Sequence, residues 1–106
     1  MSQDFVLILV TASQKSEAEQ IGQALVEEKL AACCNIVENI SSIFHWKGKI
    51  CREQECLLLI KSTRGNIDDI ITRVKKLHSY EVPEIIALPI IAGSDDYLEW
   101  VKNEVC

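Results

Sequence analysis

Two long extended segments joined by a two-residue turn are the sequence feature that most constrains the fold. The first segment, AACCNIVENISSIFHW, begins at Ala31, and the second, KICREQECLLLIKS, begins at Lys49. Lys47 and Gly48 lie between them, and a pair of residues with glycine second is a usual connection of a β-hairpin. The sequence therefore predicts two long antiparallel strands joined by a tight turn.

The segment before this hairpin predicts one strand and one helix. Phe5 to Ala12 is a continuous apolar run of strand length, which favours a central strand buried on both faces. Ser16 followed by Glu19 is a capping-box pattern, and small and apolar residues then recur at helical spacing to about Lys29. We therefore expect a helix from Ser16 to Lys29 that packs closely on a sheet.

The segment after the hairpin predicts a helix, a strand and a last helix. Asn66 is a good N-cap for the first of these helices. The apolar stripe of that helix consists of Ile67, Ile70, Ile71, Val74 and Leu77. Pro83 to Ile90 is a short apolar run whose prolines fit only a sheet edge, a bulge or a strand start. Ser94 caps the last helix. The apolar face of the last helix is predicted to contain Tyr97, Leu98, Val101 and Val105.

The element order βαββαβα predicts an α+β fold. Two βαβ halves of this kind form a four-stranded antiparallel sheet with helices on one face, which is the ferredoxin-like arrangement. Here it has an extra C-terminal helix and a long hairpin between the second and third strands. No linker rich in proline, glycine or serine interrupts the 106 residues, so we expect a single domain over residues 1–106.

The hairpin is longer than the helices that would cover it. Helices of about 12 to 14 residues are about 18–21 Å long, whereas strands of about 12 residues extend about 40 Å. Five large apolar side chains lie on the overhang: Ile40, Ile43, Phe44, Trp46 and Ile50. One small domain cannot cover both faces of such a ribbon, so we expect a neighbouring subunit, with Phe44, Trp46 and Ile50 at the interface. The alternative is a local cluster, with Phe44 and Trp46 packed on one face and solvent on the other.

Charge and composition exclude several classes of partner and location. The chain has 11 basic and 16 acidic residues and a net charge of −5, which opposes the phosphate neutralisation that nucleic-acid binding requires. No apolar run is long enough to span a membrane. The N-terminal MSQDFVLILV has an acid and no basic residue, unlike a signal peptide, so we expect a cytoplasmic protein.

Five cysteines are scattered along the chain without a CxxC pair: Cys33, Cys34, Cys51, Cys56 and Cys106. An odd number without regular spacing favours reduced thiols. With the Lys-Gly pair as the turn, Cys51 lies opposite Phe44. Cys56 then lies opposite Asn39, so no thiol faces another across the ribbon. We therefore expect buried reduced thiols rather than metal ligands.

The best polar cluster follows the second helix and consists of His78, Tyr80, Glu81 and Glu84. Imidazole and oxygen donors suit a divalent cation, so these residues are a candidate site in a cleft between subunits. In the structural alternative, His78 interacts with the helix C-terminus and Tyr80 anchors the loop, while both glutamates are solvated or paired with lysines. His45, near the hairpin tip, is assigned to packing or to a hydrogen bond between subunits.

Several separate motifs resemble the CutA family of divalent-cation tolerance proteins: KLAACCNI, SIFHWKGKI, ECLLLIKS, LHSYEVPEIIALPI and GSDDYLEW. The resemblance extends from Val6 to Val101. It implies a ferredoxin-like fold, a homotrimer in which long hairpins pack across subunits, an architecture similar to the PII signalling proteins, and a role in tolerance to copper and other divalent ions. Some members bind copper through a Cys and two adjacent His. The corresponding positions here are Val10, Leu77 and His78, and only His78 has a metal-binding side chain.

The sequence and the resemblance together favour a non-enzymatic homotrimer that binds copper(II) or another divalent cation and takes part in the response to metal ions. The alternative is a trimeric signalling or adaptor module, similar to PII proteins, that binds a small anionic ligand or a partner protein between subunits. The candidate anion-binding residues are Lys47, Lys49, Lys61, Arg64 and Lys75. The TASQKSE loop after the first strand lacks the CxxC of a copper chaperone and the arginine of an acylphosphatase.

Overall fold

The helices and strands follow the predicted order. The structure is a computed structural model that describes residues 4–106, so the part of the N-terminal prediction that concerns residues 1–3 lies outside the described residues. The elements are β1 (Phe5–Ala12), α1 (Lys15–Glu27), β2 (Cys33–Trp46), β3 (Lys49–Thr63), a 3-10 turn (Arg64–Asn66), α2 (Ile67–Leu77), β4 (Ile85–Pro89) and α3 (Asp95–Glu104). The predicted α+β class, with a third, C-terminal helix, is confirmed.

The four strands lie in the order β2-β3-β1-β4, and every neighbouring pair is antiparallel. Helices α1 and α2 cover one face of this sheet and enclose the core with it. The buried residues of the core are Val6, Ile8, Val10, Ala12, Ala18, Ile21, Leu25, Ala31, Cys56, Leu58, Ile60, Ile70 and Val74. Pro89 pairs with Val6 in the edge strand β4, one of the positions that the sequence allowed for it.

Strand β1 is central, but the prediction that it is buried on both faces is wrong for the single chain. Its side chains alternate between fully buried residues such as Ile8 and half-buried residues such as Leu9. The reason is that α1 and α2 lie on the same side, and on the opposite side of the sheet α3 covers the Phe5 end but leaves the middle of β1 open. The apolar residues there, which we call the open sheet face, are Leu7, Leu9, Leu57, Leu59, Ile86 and Leu88.

The long hairpin is confirmed, with 14 residues in β2 and 15 in β3. Lys47 has a φ of 52° and Gly48 a φ of 80°, and positive φ at both central residues defines a type I′ turn. The turn matches the right-handed twist of the flanking strands, which is why two residues suffice here. The hairpin gives the molecule its elongated shape, 44 Å along the longest axis against 25 and 22 Å along the others.

A β-bulge interrupts the pairing of β2 with β3, and because of it one predicted residue pair is wrong. From the turn as far as Ile40 opposite Glu55, the partners are those that the sequence predicts, and they include Phe44 opposite Cys51. Beyond Ile40 the register shifts by one residue, so Cys56 does not pair with Asn39 as predicted. Asn39 has a φ of 61°, a conformation that asparagine tolerates better than most residues and that often accompanies an extra residue in a strand.

Two of the three predicted helix caps differ from the structure. Helix α1 begins at Lys15, and its N-cap residue Gln14 makes no side-chain capping bond, so the capping box at Ser16 is wrong. Asn66 does occupy the N-cap position of α2, but its side-chain amide donates to Thr63 Oγ1 at 2.9 Å instead of accepting from the helix. Because a 3-10 turn precedes α2, the helix is entered from an already helical backbone.

Helix α3 is capped as predicted but packs through a narrower face. Ser94 Oγ accepts a hydrogen bond from the Tyr97 amide at 3.2 Å. Val101 is buried against Phe5, with Leu98 and Val105 packed beside it. The prediction that Tyr97 shares this face is wrong, since its ring is exposed and lies tilted against Trp100 with 5.5 Å between ring centroids. None of the helices formed by residues 4–106 has the length and apolar character needed to cross a membrane.

Candidate functional site

A cavity of about 820 Å³, which we call the ribbon cleft, lies between one face of the hairpin and the segment that follows α2. It is lined by Thr11, Ser13, Ser42, Ile43, Phe44, Trp46, Cys51, Glu53, Glu55, Ser79, Tyr80, Glu81, Val82 and Glu84. Most hairpin members of this set belong to directly opposite pairs, such as Ser42 with Glu53 and Phe44 with Cys51. Opposite residues project to the same side of a sheet, which explains why these side chains share one wall.

Three of the four residues of the predicted polar cluster line the ribbon cleft. Tyr80, Glu81 and Glu84 form the wall opposite the hairpin, whereas His78 is buried below the cleft and does not line it. The three predicted interface residues are also divided. Phe44 and Trp46 line the cleft of their own chain, while Ile50 is 67% exposed and pairs with His45 on the other face of the hairpin.

Both ring nitrogens of His78 already have hydrogen-bond partners. Nε2 lies 2.6 Å from the carbonyl oxygen of Thr11, which can only accept, so Nε2 carries the proton. Nδ1 accepts from the Tyr80 amide at 3.0 Å. The side chain is completely buried. A metal ion can therefore bind His78 only after one of these hydrogen bonds opens.

Glu17 holds the segment after α2 against the end of α1. Its Oε2 accepts from the Ser79 amide at 2.6 Å and lies 3.7 Å from His78 Nδ1. Burial disfavours the charged carboxylate, but hydrogen bonds from Ser79, the nearby His78 and a hydrogen bond from Ser13 outweigh it and lower the pKa of Glu17. Glu17 lies 62 positions before Ser79, and only the fold brings the two residues together.

Glu55 is the most buried acidic residue of the cleft wall, with 6% of its surface exposed. Its Oε2 accepts a hydrogen bond of 2.6 Å from the Tyr80 hydroxyl. Burial and the adjacent Glu55 carboxylate both raise the pKa of Tyr80, so the phenol keeps its proton and donates it. The Tyr80 ring also contacts the His78 ring in a tilted arrangement, with 4.6 Å between ring centroids. Glu53 and Glu55 were not among the predicted site residues, although their spacing of two in a predicted strand places both on one face.

The cysteines of residues 4–106 differ in burial: Cys56 is buried, Cys106 is exposed and the other three are intermediate. All five thiols are free. Cys34 lies under α1, and burial first, then the neighbouring Cys33, raises the pKa of its thiol to about 11 despite the opposing effect of Lys61. Within residues 4–106, no three His, Cys, Asp or Glu side chains converge in a way that could hold a metal ion. Val10 is core and Leu77 packs against it, so those two positions contribute no ligand.

The basic residues that the sequence offered as an anion-binding site do not lie close together. Lys47 and Lys49 lie at the hairpin tip, whereas Lys61 lies 12 positions along β3, about 40 Å away at about 3.3 Å per residue. Lys61 contacts the Asn35 side chain and lies 3.9 Å from Cys33 Sγ. No Lys, Arg or His is among the residues that line the ribbon cleft. The cleft of one chain therefore offers oxygen acceptors and aromatic rings, not an anion site.

Comparisons with known proteins agree on one family. Residues 6–104 match the family described as CutA1 divalent ion tolerance protein. The divalent-cation tolerance protein CutA of Thermus thermophilus is 47% identical over 97 residues, which cover 92% of this chain and 94% of that protein. The chloroplastic protein CutA of Arabidopsis thaliana is 43% identical over 98 residues, and there the match spans only 54% of the relative.

Solved structures give the same result. The divalent cation tolerance protein from Thermus thermophilus superposes with a TM-score of 0.94 at 44% identity, covering 96% of this chain and 99% of that one. The CutA1 structure from Oryza sativa superposes with a TM-score of 0.95 at 40% identity, covering 99% and 96% of the two chains. On fold, length and sequence together, this chain belongs to the CutA1 family of divalent ion tolerance proteins.

Proposed function

We propose that this chain forms a non-enzymatic, cytoplasmic homotrimer that binds copper(II) or another divalent cation and takes part in tolerance to such ions. The observation that carries the assembly is the apolar surface left uncovered on one chain. On the hairpin, Ile43 is 62% and Ile50 67% exposed, and the open sheet face adds a second apolar region. Exposed apolar surface of this extent favours association, and identical copies are the commonest partners.

The cation site that we propose lies beside the backbone of Ser79 and Tyr80, between His78 and Glu17. His78 Nδ1 and Glu17 Oε2 are 3.7 Å apart, a separation that suits two ligands of one cation whose bonds are about 2.0–2.2 Å long. Binding requires Nδ1 to release the Tyr80 amide, and water completes the coordination. Two protein ligands give weak binding, so we expect sub-millimolar rather than nanomolar affinity.

Calorimetry on the reduced protein with copper(II), zinc and a panel of nucleotides tests the cation site. We expect metal heats that disappear in His78→Ala and weaken in Glu17→Gln. The matched control is His45→Ala, because His45 is the other histidine of the chain and lies exposed near the hairpin tip. Metal uptake that survives His78→Ala contradicts the assignment. Nucleotide heats without metal heats favour the signalling alternative instead.

Light scattering tests the assembly. The unmodified protein should have three times the mass of one chain, and Ile50→Glu should lower that mass because a charge replaces an apolar contact. Val26→Glu is the control, since Val26 is an exposed apolar residue on α1, in the helix layer. A monomeric unmodified protein would contradict the proposed homotrimer.

A further inference from the structure

We propose that Cys33 and Lys61 form a modification site that responds to hydrogen peroxide, in which oxidation of the thiol joins it to the lysine amine as a sulfenamide. The two residues lie outside the ribbon cleft and outside the proposed cation site. The inference goes beyond the proposed function and does not rest on it. It stands on the pairing of two strands, on the contact between the two side chains and on the groups around that contact.

The pairing of β2 with β3 brings the two side chains to the same face of the sheet. Cys33 lies directly opposite Lys61, and Cβ atoms of opposite residues on antiparallel strands are about 4.5–5.5 Å apart. Both residues are half-buried. Because they belong to one sheet of one chain, association of copies does not separate them. The contact is therefore a property of each chain.

The lysine amine already contacts the sulfur. Lys61 Nζ donates a hydrogen bond to Cys33 Sγ over 3.9 Å, and it also contacts the side-chain oxygen of Asn35. Cys33 Sγ in turn donates to that oxygen over 3.8 Å. Asn35 thus holds both groups, and the amine stays beside the atom that it would attack. Holding two reacting groups in contact is a large part of the advantage of an intramolecular reaction.

A phenol from α3 completes the surroundings of the sulfur. Burial, followed by the charge of Cys33 and a hydrogen bond with it, raises the pKa of Tyr97. The phenol therefore keeps its proton beside the sulfur. A hydroxyl in this position can donate a hydrogen bond to the oxygen that a sulfenic acid carries. Amine, amide and phenol thus surround one thiol.

The other thiols of residues 4–106 lack such an amine. None of them accepts a hydrogen bond from a lysine. Cys34 lies under α1, where burial raises its pKa to about 11, so few molecules carry the reactive thiolate. Cys56 is buried, and Cys106 donates to the carbonyl oxygen of Glu28. Oxidation followed by capture of the sulfur by an amine is therefore specific to Cys33.

The reaction has two steps, and hydrogen peroxide is the only co-reactant. In the first step, Cys33 Sγ attacks an oxygen of the peroxide. An S–O bond forms and the O–O bond breaks, which leaves a sulfenic acid and one water. In the second step, Lys61 Nζ loses a proton to solvent and attacks the same sulfur. An N–S bond forms, the S–O bond breaks, and the hydroxyl leaves as water with the second proton from the nitrogen.

The cross-link has two consequences for the protein. It joins β2 to β3 on the core side of the bulge, and it removes the positive charge of Lys61. Sulfur is oxidised by two electrons while the peroxide is reduced by two. A sulfenamide is reversible, whereas further oxidation of a sulfenic acid to a sulfinic acid is not. Capture by the amine therefore protects Cys33, and a thiol reductant restores both side chains.

Peptide mass spectrometry of the reduced protein after peroxide treatment detects the bond. A chelator removes free metal, and the remaining thiols are alkylated before trypsin digestion. We expect one cross-linked pair of peptides that lacks two hydrogens and carries alkyl groups on Cys34 and Cys56, which excludes disulfides to either of them. Trypsin does not cleave after a modified lysine, so the second peptide should continue past Lys61 to Arg64. Dithiothreitol should release both peptides. Cys33 found only as a disulfide, a sulfinic acid or an unmodified thiol overturns the inference.

Matched variants separate capture by the amine from oxidation alone. Lys61→Arg keeps the positive charge but has no amine that can lose its proton. It should abolish the cross-link and raise dimedone labelling of the Cys33 sulfenic acid at least about threefold, because no amine competes for the sulfur. Cys33→Ser should abolish both signals. Lys75→Arg is the control, since Lys75 lies exposed on α2, and it should form the cross-link normally. Equal dimedone labelling in Lys61→Arg and the unmodified protein contradicts capture by Lys61.

The two proposals fail separately. His78→Ala removes the proposed metal ligand but no group around Cys33, so the cross-link should still form in that variant. A cross-link without any metal uptake contradicts the metal site alone. Metal uptake without a cross-link contradicts the modification site alone.

Discussion

Replacing Gly22 by alanine tests how closely α1 packs on the sheet. A Cβ atom at this position would lie 2.9 Å from Cys34 Sγ and 3.3 Å from Cys34 Cβ. The first of these distances is one that real Cβ contacts essentially never show, so α1 or Cys34 has to move. Gly22 is buried in the middle of α1, where the helix cannot turn the new methyl group towards solvent.

Gly22→Ala changes the free energy of unfolding through two effects of opposite sign. Overpacking a well-packed core costs about 1–3 kcal/mol, while alanine is about 0.8–1.0 kcal/mol better than glycine inside a helix. Gly22→Ala should therefore destabilise by about 0 to 2 kcal/mol. In a Cys34→Ala background the sulfur is absent, and the same substitution should stabilise by up to about 1 kcal/mol.

A double-mutant cycle of Gly22→Ala and Cys34→Ala separates the energy of the contact between the two positions from the effect of helix propensity. We expect a coupling energy of about 1–3 kcal/mol between the two positions. Guanidinium unfolding of the four proteins measures it, at one fixed subunit concentration because an assembled state makes stability depend on concentration. Gly22→Leu supplies a larger clash as an internal control. A coupling energy below about 0.5 kcal/mol would refute the packing argument, since distant sites are additive to that extent.

Three further predictions follow from local geometry. Gly48→Ala should destabilise by about 1–2 kcal/mol in guanidinium unfolding, because Gly48 has a φ of 80°; an unchanged midpoint would contradict the type I′ turn. Ser94→Ala should cost about 1 kcal/mol by loss of its bond to the Tyr97 amide, whereas Ser94→Asp should retain most of the stability. At pH 8 a thiol of pKa about 11 is ionised in about one molecule in a thousand. Alkylation followed by peptide mass spectrometry should therefore label the exposed Cys106 long before Cys34, and equal rates would contradict the burial of Cys34.

The order of elements was predictable because each has a local signal. The Lys-Gly turn fixes the centre of the hairpin, and the apolar stripe of α2 has a clear helical period, with Ile70 and Val74 buried as that period requires. The bulge at Asn39 was not predictable in this way. One additional residue in a 14-residue strand changes no composition, and only the pairing with β3 reveals it.

The candidate site was predictable only in part. The segment after α2 has an unusual density of polar residues, which is why Tyr80, Glu81 and Glu84 were identified. The role of Glu55 depends on a hydroxyl 25 positions away, and that of Glu17 on an amide 62 positions away. Contacts over such separations come from the topology of the chain. The residues next to each partner in the sequence therefore do not indicate these contacts.

Ile36 and Phe44 are separated by eight positions, an even number, so an unbroken strand would point both side chains to the same side. Because of the bulge between them, Ile36 packs against the core while Phe44 lines the cleft. The part of β2 before the bulge thus packs against the core, whereas the part after the bulge does not. Substitutions in β2 beyond Asn39 therefore change the walls of the cleft and leave the side chains that pack beneath α1 and α2 as they are.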